Sequence, residues 1–283
     1  MHLSVLYTPA TPRWSELLHP LAPIQSLWRH RGLIGLLTLR DLRTRYRGSV
    51  LGIAWSLLTP LLLLAVYAFA FGLVLPARWP VTASSVPVPL ILFCGVACFG
   101  FFAECLQRAP GLVVTQPQFV KKVVFPLEVL PVTLGVSAAL HWVVHGALLL
   151  AALGVCGVGW SRQFLCLPVV LLPLLFLCLG AGWLLAAVGV FFRDTQNLIG
   201  PATTVLMFLS PVFYPLEQLP ASWQLFLRCN PLTTILENVR RVLLWQQPPE
   251  WGWLLATTAV SFLFMALAFA CFGRLKRAFA DVV

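Results

Sequence analysis

LGIAWSLLTPLLLLAVYAFAFGLVL, residues 51–75, carries no charged side chain and only three hydroxyls. At 1.5 Å per residue a helix of this length reaches about 37 Å, more than the roughly 30 Å of hydrocarbon in a bilayer. Lipid offers the backbone no hydrogen-bond partner, so a crossing segment must be a helix or belong to a closed barrel. Barrel strands need only about 9–11 residues, and this run is far longer. It reads as a membrane-spanning helix.

Further apolar runs follow on both the same scale and the same logic. Segments 88–106, 129–155, 165–192, 198–214 and 252–272 complete a set of six spans. Pro168 and Pro173 fall in the early turns of the fourth, where they kink it. The fifth is short and ends in Ser210, Pro211 and Pro215. The expected class is therefore all-α, a polytopic membrane protein with six transmembrane helices. Composition agrees: charged residues make up 10% of the 283 and hydrophobic ones 60%. An ordinary soluble domain carries roughly 25% charge, because its surface must meet water.

The net charge of +10 does not point to nucleic acid. Binders of nucleic acid gather Lys and Arg on a soluble surface, whereas here the basic residues sit in short strings between uncharged stretches. With the N-terminus inside, fourteen basic residues fall on the cytoplasmic side and five on the other. Six spans then leave both termini in the cytoplasm, as the positive-inside rule requires. The first 47 residues hold seven Arg before any span begins, so no cleavable signal peptide is expected. The eight cysteines form no CxxC and lie mostly within apolar runs, as small apolar fillers.

Two regions are not simple spans. Residues 33–47 read as an amphipathic helix lying in the interface, with Gly35, Leu39, Leu42 and Tyr46 on one face and Arg40, Arg43, Thr44 and Arg47 opposite. A cytosolic helix packed on the rest of the protein is the alternative. Residues 215–250, on the outer side, hold two short apolar rhythms interrupted by Glu237, Arg240 and Arg241. Each is too short or too charged to cross, so short re-entrant helices between spans five and six are expected. An ordinary external loop is the alternative. The chain divides into a cytoplasmic segment, 1–50, with the interfacial helix, and a transmembrane domain, 51–283.

Isolated polar residues have plain readings. Glu104, costly near hydrocarbon, has Arg108 one turn away as a partner. His141 and His145 share one face of span three without an accompanying carboxylate or Cys, so no metal site is expected and hydrogen bonding between helices is. Arg193 snorkels at the end of span four, and Asp194 caps the helix that follows.

Several blocks in order carry a family likeness. RDLRTRYRGSVLGIAWSLLTP at 40–60 resembles the start of the membrane subunit of polysaccharide-exporting ABC-2 type permeases, which export O-antigen, teichoic acid and related glycans. KKVVFPLEVLP at 121–131 resembles their loop between spans two and three. FFRDT at 191–195 and SPVFY at 210–214 resemble the blocks that bracket span five, and Asn230-Pro231 the turn between the outer helices. The resemblance runs over nearly the whole chain from about residue 33.

That resemblance implies a homodimeric permease, each copy paired with a separate nucleotide-binding ATPase subunit, in the bacterial inner membrane. The substrate implied is a polyprenyl-linked glycan, O-antigen first, with capsule or teichoic acid export, or drug or lipid efflux, as alternatives. The chain has no G-x-x-x-x-G-K-[ST] loop, so it is not an enzyme and binds no cofactor; ATP and Mg²⁺ belong to the partner. The loop from Pro110 to Phe125 is the expected coupling element, with Gln118, Phe119, Lys121 and Lys122 meeting the ATPase. The resemblance makes spans one and five the channel lining, through Trp55, Thr59, Tyr67 and Phe71, and through Thr203, Thr204, Phe208, Phe213 and Tyr214. Gate roles fall to Arg40, Arg43 and Arg47 on the interfacial helix, to Arg193 and Asp194, and to Trp223 and Arg240 outside.

Overall fold

The structure is a computed structural model and describes residues 22–74, 86–120, 125–159 and 161–282. Among these residues all regular structure is helical. The helices are α1 Ala22–Arg29, α2 Arg31–Arg45, α3 Trp55–Tyr67, α4 Val88–Arg108, α5 Pro117–Val120 and α6 Val129–Val155. There follow α7 Leu167–Phe191, α8 Thr195–Phe208, α9 Ala221–Arg228, α10 Pro231–Leu243, α11 Trp251–Leu275 and α12 Phe279–Val282. A tight 3-10 turn, Gly52–Ala54, leads into α3, and a wider π-helical turn, Ala68–Val74, extends it.

Five helical stretches among the described residues are long and apolar enough to cross a membrane: Gly52–Val74, Val88–Arg108, Val129–Val155, Arg162–Phe191 and Trp251–Leu275. The chain is a multi-pass membrane protein. The run expected as span five forms α8, which starts earlier than the apolar pattern and stops at Phe208. Its 14 residues reach about 21 Å, short of the hydrocarbon thickness. Pro168 occupies the first turn of α7, where no helical N–H is lost, and Pro173 lies within a helix that continues to Phe191.

Ring contacts fix the direction of two helices. Phe176 meets Phe262 and Trp183 meets Phe269, at centroid separations of 5.4 and 5.0 Å. Both partners advance together along the chain, so α7 and α11 run parallel. Parallel neighbours require the intervening chain to return from one end of the bundle to the other.

α4 is the central post. Two thirds of its apolar window is buried, against 6% for the Gly52–Val74 span. One apolar cluster fills one half around Ile91, Phe93, Cys94, Val170, Leu174 and Val239. A second fills the other end around Val113, Leu130, Trp183, Phe269, Phe272 and Phe279. Both α3 and α8 pack on α4 and leave most of their remaining surface open.

α2 differs from the face expected of an interfacial helix. Ile34 and Thr38 are buried, with Leu37 and Asp41 beside them, while Gly35, Leu36 and Leu39 are exposed. Residues 34, 37, 38, 41 and 45 share one side of a helix. The helix turns that side inward because Asp41 and Arg45 find charged partners on α4, and this outweighs burial of two leucines. Leu36 and Leu39 thereby join Arg40, Arg43 and Arg47 on the open side.

Candidate functional site

At the end of the bundle where α4 finishes, three helices meet in one ionic node. Arg45 Nη2 donates to Glu104 Oε1, and Arg108 donates to the same oxygen at 3.3 Å and to Asp41 Oδ1 at 2.6 Å. Arg45 Nη1 donates to His141 Nδ1 at 2.7 Å, and the Tyr46 hydroxyl lies 2.9 Å from His141 Nε2. The expected Glu104–Arg108 pair is therefore present, inside a larger set that sequence reading did not assemble. His145 donates from Nδ1 to the His141 carbonyl at 2.9 Å and stacks on Phe93. No group of three metal-ligating side chains converges among the described residues.

The loop after α4 is held against α7 by a close backbone approach. A Cβ at Gly189 would lie 2.1 Å from the Pro110 carbonyl oxygen, so only glycine permits this contact. Past that point, α5 carries Phe119, which is buried and stacked on Phe125 at 4.2 Å with the rings 8° from parallel. The Arg40 guanidinium stands 5.8 Å above Phe119. Phe119 thus anchors the loop to its own chain and faces inward, and Gln118 is the exposed member of the pair. Lys121 and Lys122 lie outside the described residues. At the same end, Trp183 Nε1 donates to the Glu128 carbonyl at 3.0 Å, and Lys276 pairs with the Glu128 carboxylate at 3.1 Å.

Arg193 and Asp194 are both exposed at the start of α8. Asp194 stands at the capping position, yet its side chain makes no capping bond. The first turn is closed instead by the carbonyls of Phe192, Arg193 and Asp194, which accept from Thr195, Gln196 and Asn197. These tight turns satisfy the amides that the carboxylate was expected to serve.

Along α8, Leu198, Pro201, Thr204, Val205 and Phe208 form an open stripe. Thr203 faces the other way, buried, with its hydroxyl donating to the Ile199 carbonyl at 2.7 Å. Phe213 leans on Phe208 at 6.1 Å, and Tyr214 donates to the Phe208 carbonyl at 2.9 Å. On α3, Trp55 and Thr59 are exposed, while Tyr67 and Phe71 are half-buried and 6.2 Å apart. Only Pro60 of α3 is buried.

At the opposite end of the bundle, Arg240 is wholly buried. It donates to the Pro211 and Val212 carbonyls, each at 2.7 Å, and to Glu237 Oε1 at 3.0 Å. Burial pushes the Glu237 carboxyl up, and the neighbouring guanidinium opposes that. Gly95 of α4 makes room, since a Cβ there would lie 2.7 Å from Arg240 Nη2. Asn230 caps α10 by accepting from the Leu232 amide, and donates to the Leu209 carbonyl and the Ser210 hydroxyl at 3.3 and 3.1 Å. The carbonyls left at the end of α8 are thus met by side chains of the α9–α10 hairpin. Trp223, Leu225 and Phe226 of α9 are exposed together, an apolar ledge at this end.

Residues 32–244 match the model of the ABC-2 type transporter family. An O-antigen export system permease protein RfbA of Myxococcus xanthus is 29% identical over 263 residues, covering 92% of this chain and 98% of that protein. A protein of the same description from Klebsiella pneumoniae is 24% identical, covering 89% and 95%. The polysialic acid transport protein KpsM of Escherichia coli is 26% identical, covering 74% and 80%.

Proposed function

The chain belongs to the ABC-2 type transporter family, and from that premise we propose that it is the permease subunit of an ATP-driven exporter of a lipid-linked polysaccharide, O-antigen first. The observation that carries this reading is end-to-end similarity to O-antigen export permeases, 92% of this chain against 98% of the relative. Capsule export is the second reading, favoured by the likeness to a polysialic acid transport protein, which covers less of this chain. Deleting the gene tests both. The expected result is loss of surface glycan with lipid-linked glycan retained inside the cell. Surface glycan at the parental level would overturn the reading.

The topology proposed has six crossings, with both termini in the cytoplasm of a bacterium and the membrane its inner one. Support comes from the parallel course of α7 and α11, which needs a return path, and from α8 lying in that path. The α9–α10 hairpin then dips from the outer side, its Trp223 ledge in the lipid headgroup region, where aromatic rings are favoured. ATP and Mg²⁺ act in a separate ATPase subunit. Strokes of that subunit reach the permease through the loop containing α5, and from there through Arg40 and the ionic node to α2, α4 and α6. A photo-crosslinker at exposed Gln118 is expected to capture the ATPase, whereas one at Trp28, exposed on α1, is not; equal capture from both removes the coupling assignment.

Two copies meet, in this reading, along α3 and the open stripe of α8, and the glycan threads between them. A single chain leaves those two faces without protein neighbours, and a two-fold pairing covers both. In a background without the eight native cysteines, Thr59→Cys and Thr204→Cys are expected to crosslink between copies. Thr203→Cys, which faces inward, is expected not to. Crosslinking at Thr203 equal to that at Thr204, or none at Thr59 and Thr204, removes this seam.

A further inference from the structure

We propose that the outer pocket between the α9–α10 hairpin and the start of α11 is a subsite for one sugar unit of the exported chain, an inference that rests on the glycan-export reading. The pocket is small, about 40 Å³. Its wall includes Thr233, 1% exposed, whose buried hydroxyl has no hydrogen-bond partner. Trp245 lines it too, and its buried indole N–H likewise has none. Among the described residues eight buried side-chain polar atoms lack a hydrogen-bond partner, and two of them belong to residues that line this one pocket, where a polar occupant would complete them.

The remaining lining gives the chemistry of that occupant. Glu237 and Glu250 reach the pocket already held by α10, through Arg240 at 3.0 Å and Arg241 at 3.1 Å. Their charge is matched and their orientation set, so they offer acceptor oxygens without calling for a cation. Glu217, exposed, adds a third carboxylate. With Glu237 and Glu250 paired to Arg240 and Arg241, the remaining Glu217 and Arg228 offset one another, so the lining holds no net positive charge for an anionic headgroup. Trp253, 38% exposed, supplies an apolar ring beside them, with the Arg228 guanidinium 5.9 Å from its centre. A neutral ligand with several hydroxyls and a C–H face satisfies all of these at once. Its hydroxyls donate to carboxylates and accept from the indole N–H, and its C–H face lies against an aromatic ring.

Size limits how it enters. At about 10–15 Å³ per water, the cavity holds around three waters. A hydroxymethyl group or a pair of hydroxyls fits inside, while the sugar ring stays at the mouth against Trp253. Occupancy here touches the same carboxylate that Arg240 uses to hold the turn after α8, so a passing sugar meets the element that closes the outer end.

Fluorine NMR on protein labelled with 5-fluorotryptophan reads this directly, the signals of Trp245 and Trp253 being assigned from Trp245→Phe and Trp253→Phe. The probes are methyl pyranosides of glucose, galactose, mannose and rhamnose, with glycerol 3-phosphate as the headgroup control. Both signals are expected to move with at least one pyranoside and not with glycerol 3-phosphate. Thr233→Val and Glu217→Gln are each expected to weaken that binding roughly fivefold, the loss of one hydrogen bond. No movement with any pyranoside, or movement with glycerol 3-phosphate alone, overturns the subsite. The gene-deletion result stands apart: pyranoside binding without retained glycan keeps the site and removes the export reading, and the reverse removes the site alone.

Discussion

Replacing Arg240 with Met is expected to cost about 3–5 kcal/mol of stability, the range for breaking a buried ion pair by removing one partner. The guanidinium has no solvent exposure, and it satisfies two carbonyls as well as Glu237. Met fills much of the volume but leaves the Glu237 carboxylate and both carbonyls in an apolar place. Thermal unfolding of the purified protein reads the loss, and protease cutting near residues 209–215 locates it. Arg240→Lys is expected to fall between, because a single ammonium cannot serve two carbonyls and a carboxylate with the geometry of a planar fork. Adding Glu237→Gln to Arg240→Met is expected to restore part of the loss by removing the uncompensated charge. Arg241→Met, at a half-exposed pair with Glu250, is expected to cost no more than about 1 kcal/mol. Equal losses for Arg240 and Arg241 would refute the role of Arg240 in holding the turn after α8.

The contrast between those two adjacent arginines shows where sequence reading reached its limit. Uncharged runs located five long helices because a bilayer admits no other solution for 20 or more apolar residues. A charge inside an apolar rhythm, however, reads as a surface residue, and nothing local marks Arg240 as buried. What would mark it is Gly95 on α4, 145 positions away, which leaves the space its guanidinium occupies. The ionic node was hidden for the same reason. Glu104 and Arg108 are neighbours in sequence and were legible as a pair, but Asp41, Arg45 and His141 arrive from two other helices. Once they are counted, the face of α2 follows, and the apolar stripe expected there gives way to charge pairing.

Phe119 and Thr203 show the same limit on a smaller scale. An aromatic in a cytoplasmic loop reads as a free anchor for a partner, and a threonine in a short apolar helix reads as a wet channel face. Phe119 stacks on Phe125 beneath Arg40, and Thr203 bonds to its own helix. Their neighbours in sequence, Gln118 and Thr204, are the exposed residues, and the proposed roles rest on those two. α4 then links the two ends, since Gly95 and Glu104 stand on one rigid helix that is buried for most of its length. A shift of α2 driven from the loop would be felt at the Arg240 turn without any span unfolding.

Gly189→Ala is expected to break that linkage at its origin, with the half of the protein around Arg240 left intact. The added Cβ would lie 2.1 Å from the Pro110 oxygen and 2.7 Å from its carbonyl carbon and Cα. All three are backbone atoms, so no side chain can swing aside, and the loop must lift from α7. Overpacking of this kind costs about 1–3 kcal/mol, and more where the backbone cannot yield. The lifted loop carries Val113 and Phe119 out of the second apolar cluster. Protease is therefore expected to cut within residues 109–120 of the variant and to spare them in the parent. ATP-dependent export is expected to fall at least tenfold, about 1.4 kcal/mol of coupling, while the cysteine crosslink at Thr204 persists. Gly146→Ala supplies the opposite sign. Beyond its own helix nothing lies within 4 Å of the added carbon, and alanine is the better helix former by about 0.5–1 kcal/mol. If both variants behave alike, the close approach of Gly189 to Pro110 does not hold the loop, and coupling must enter the membrane helices elsewhere.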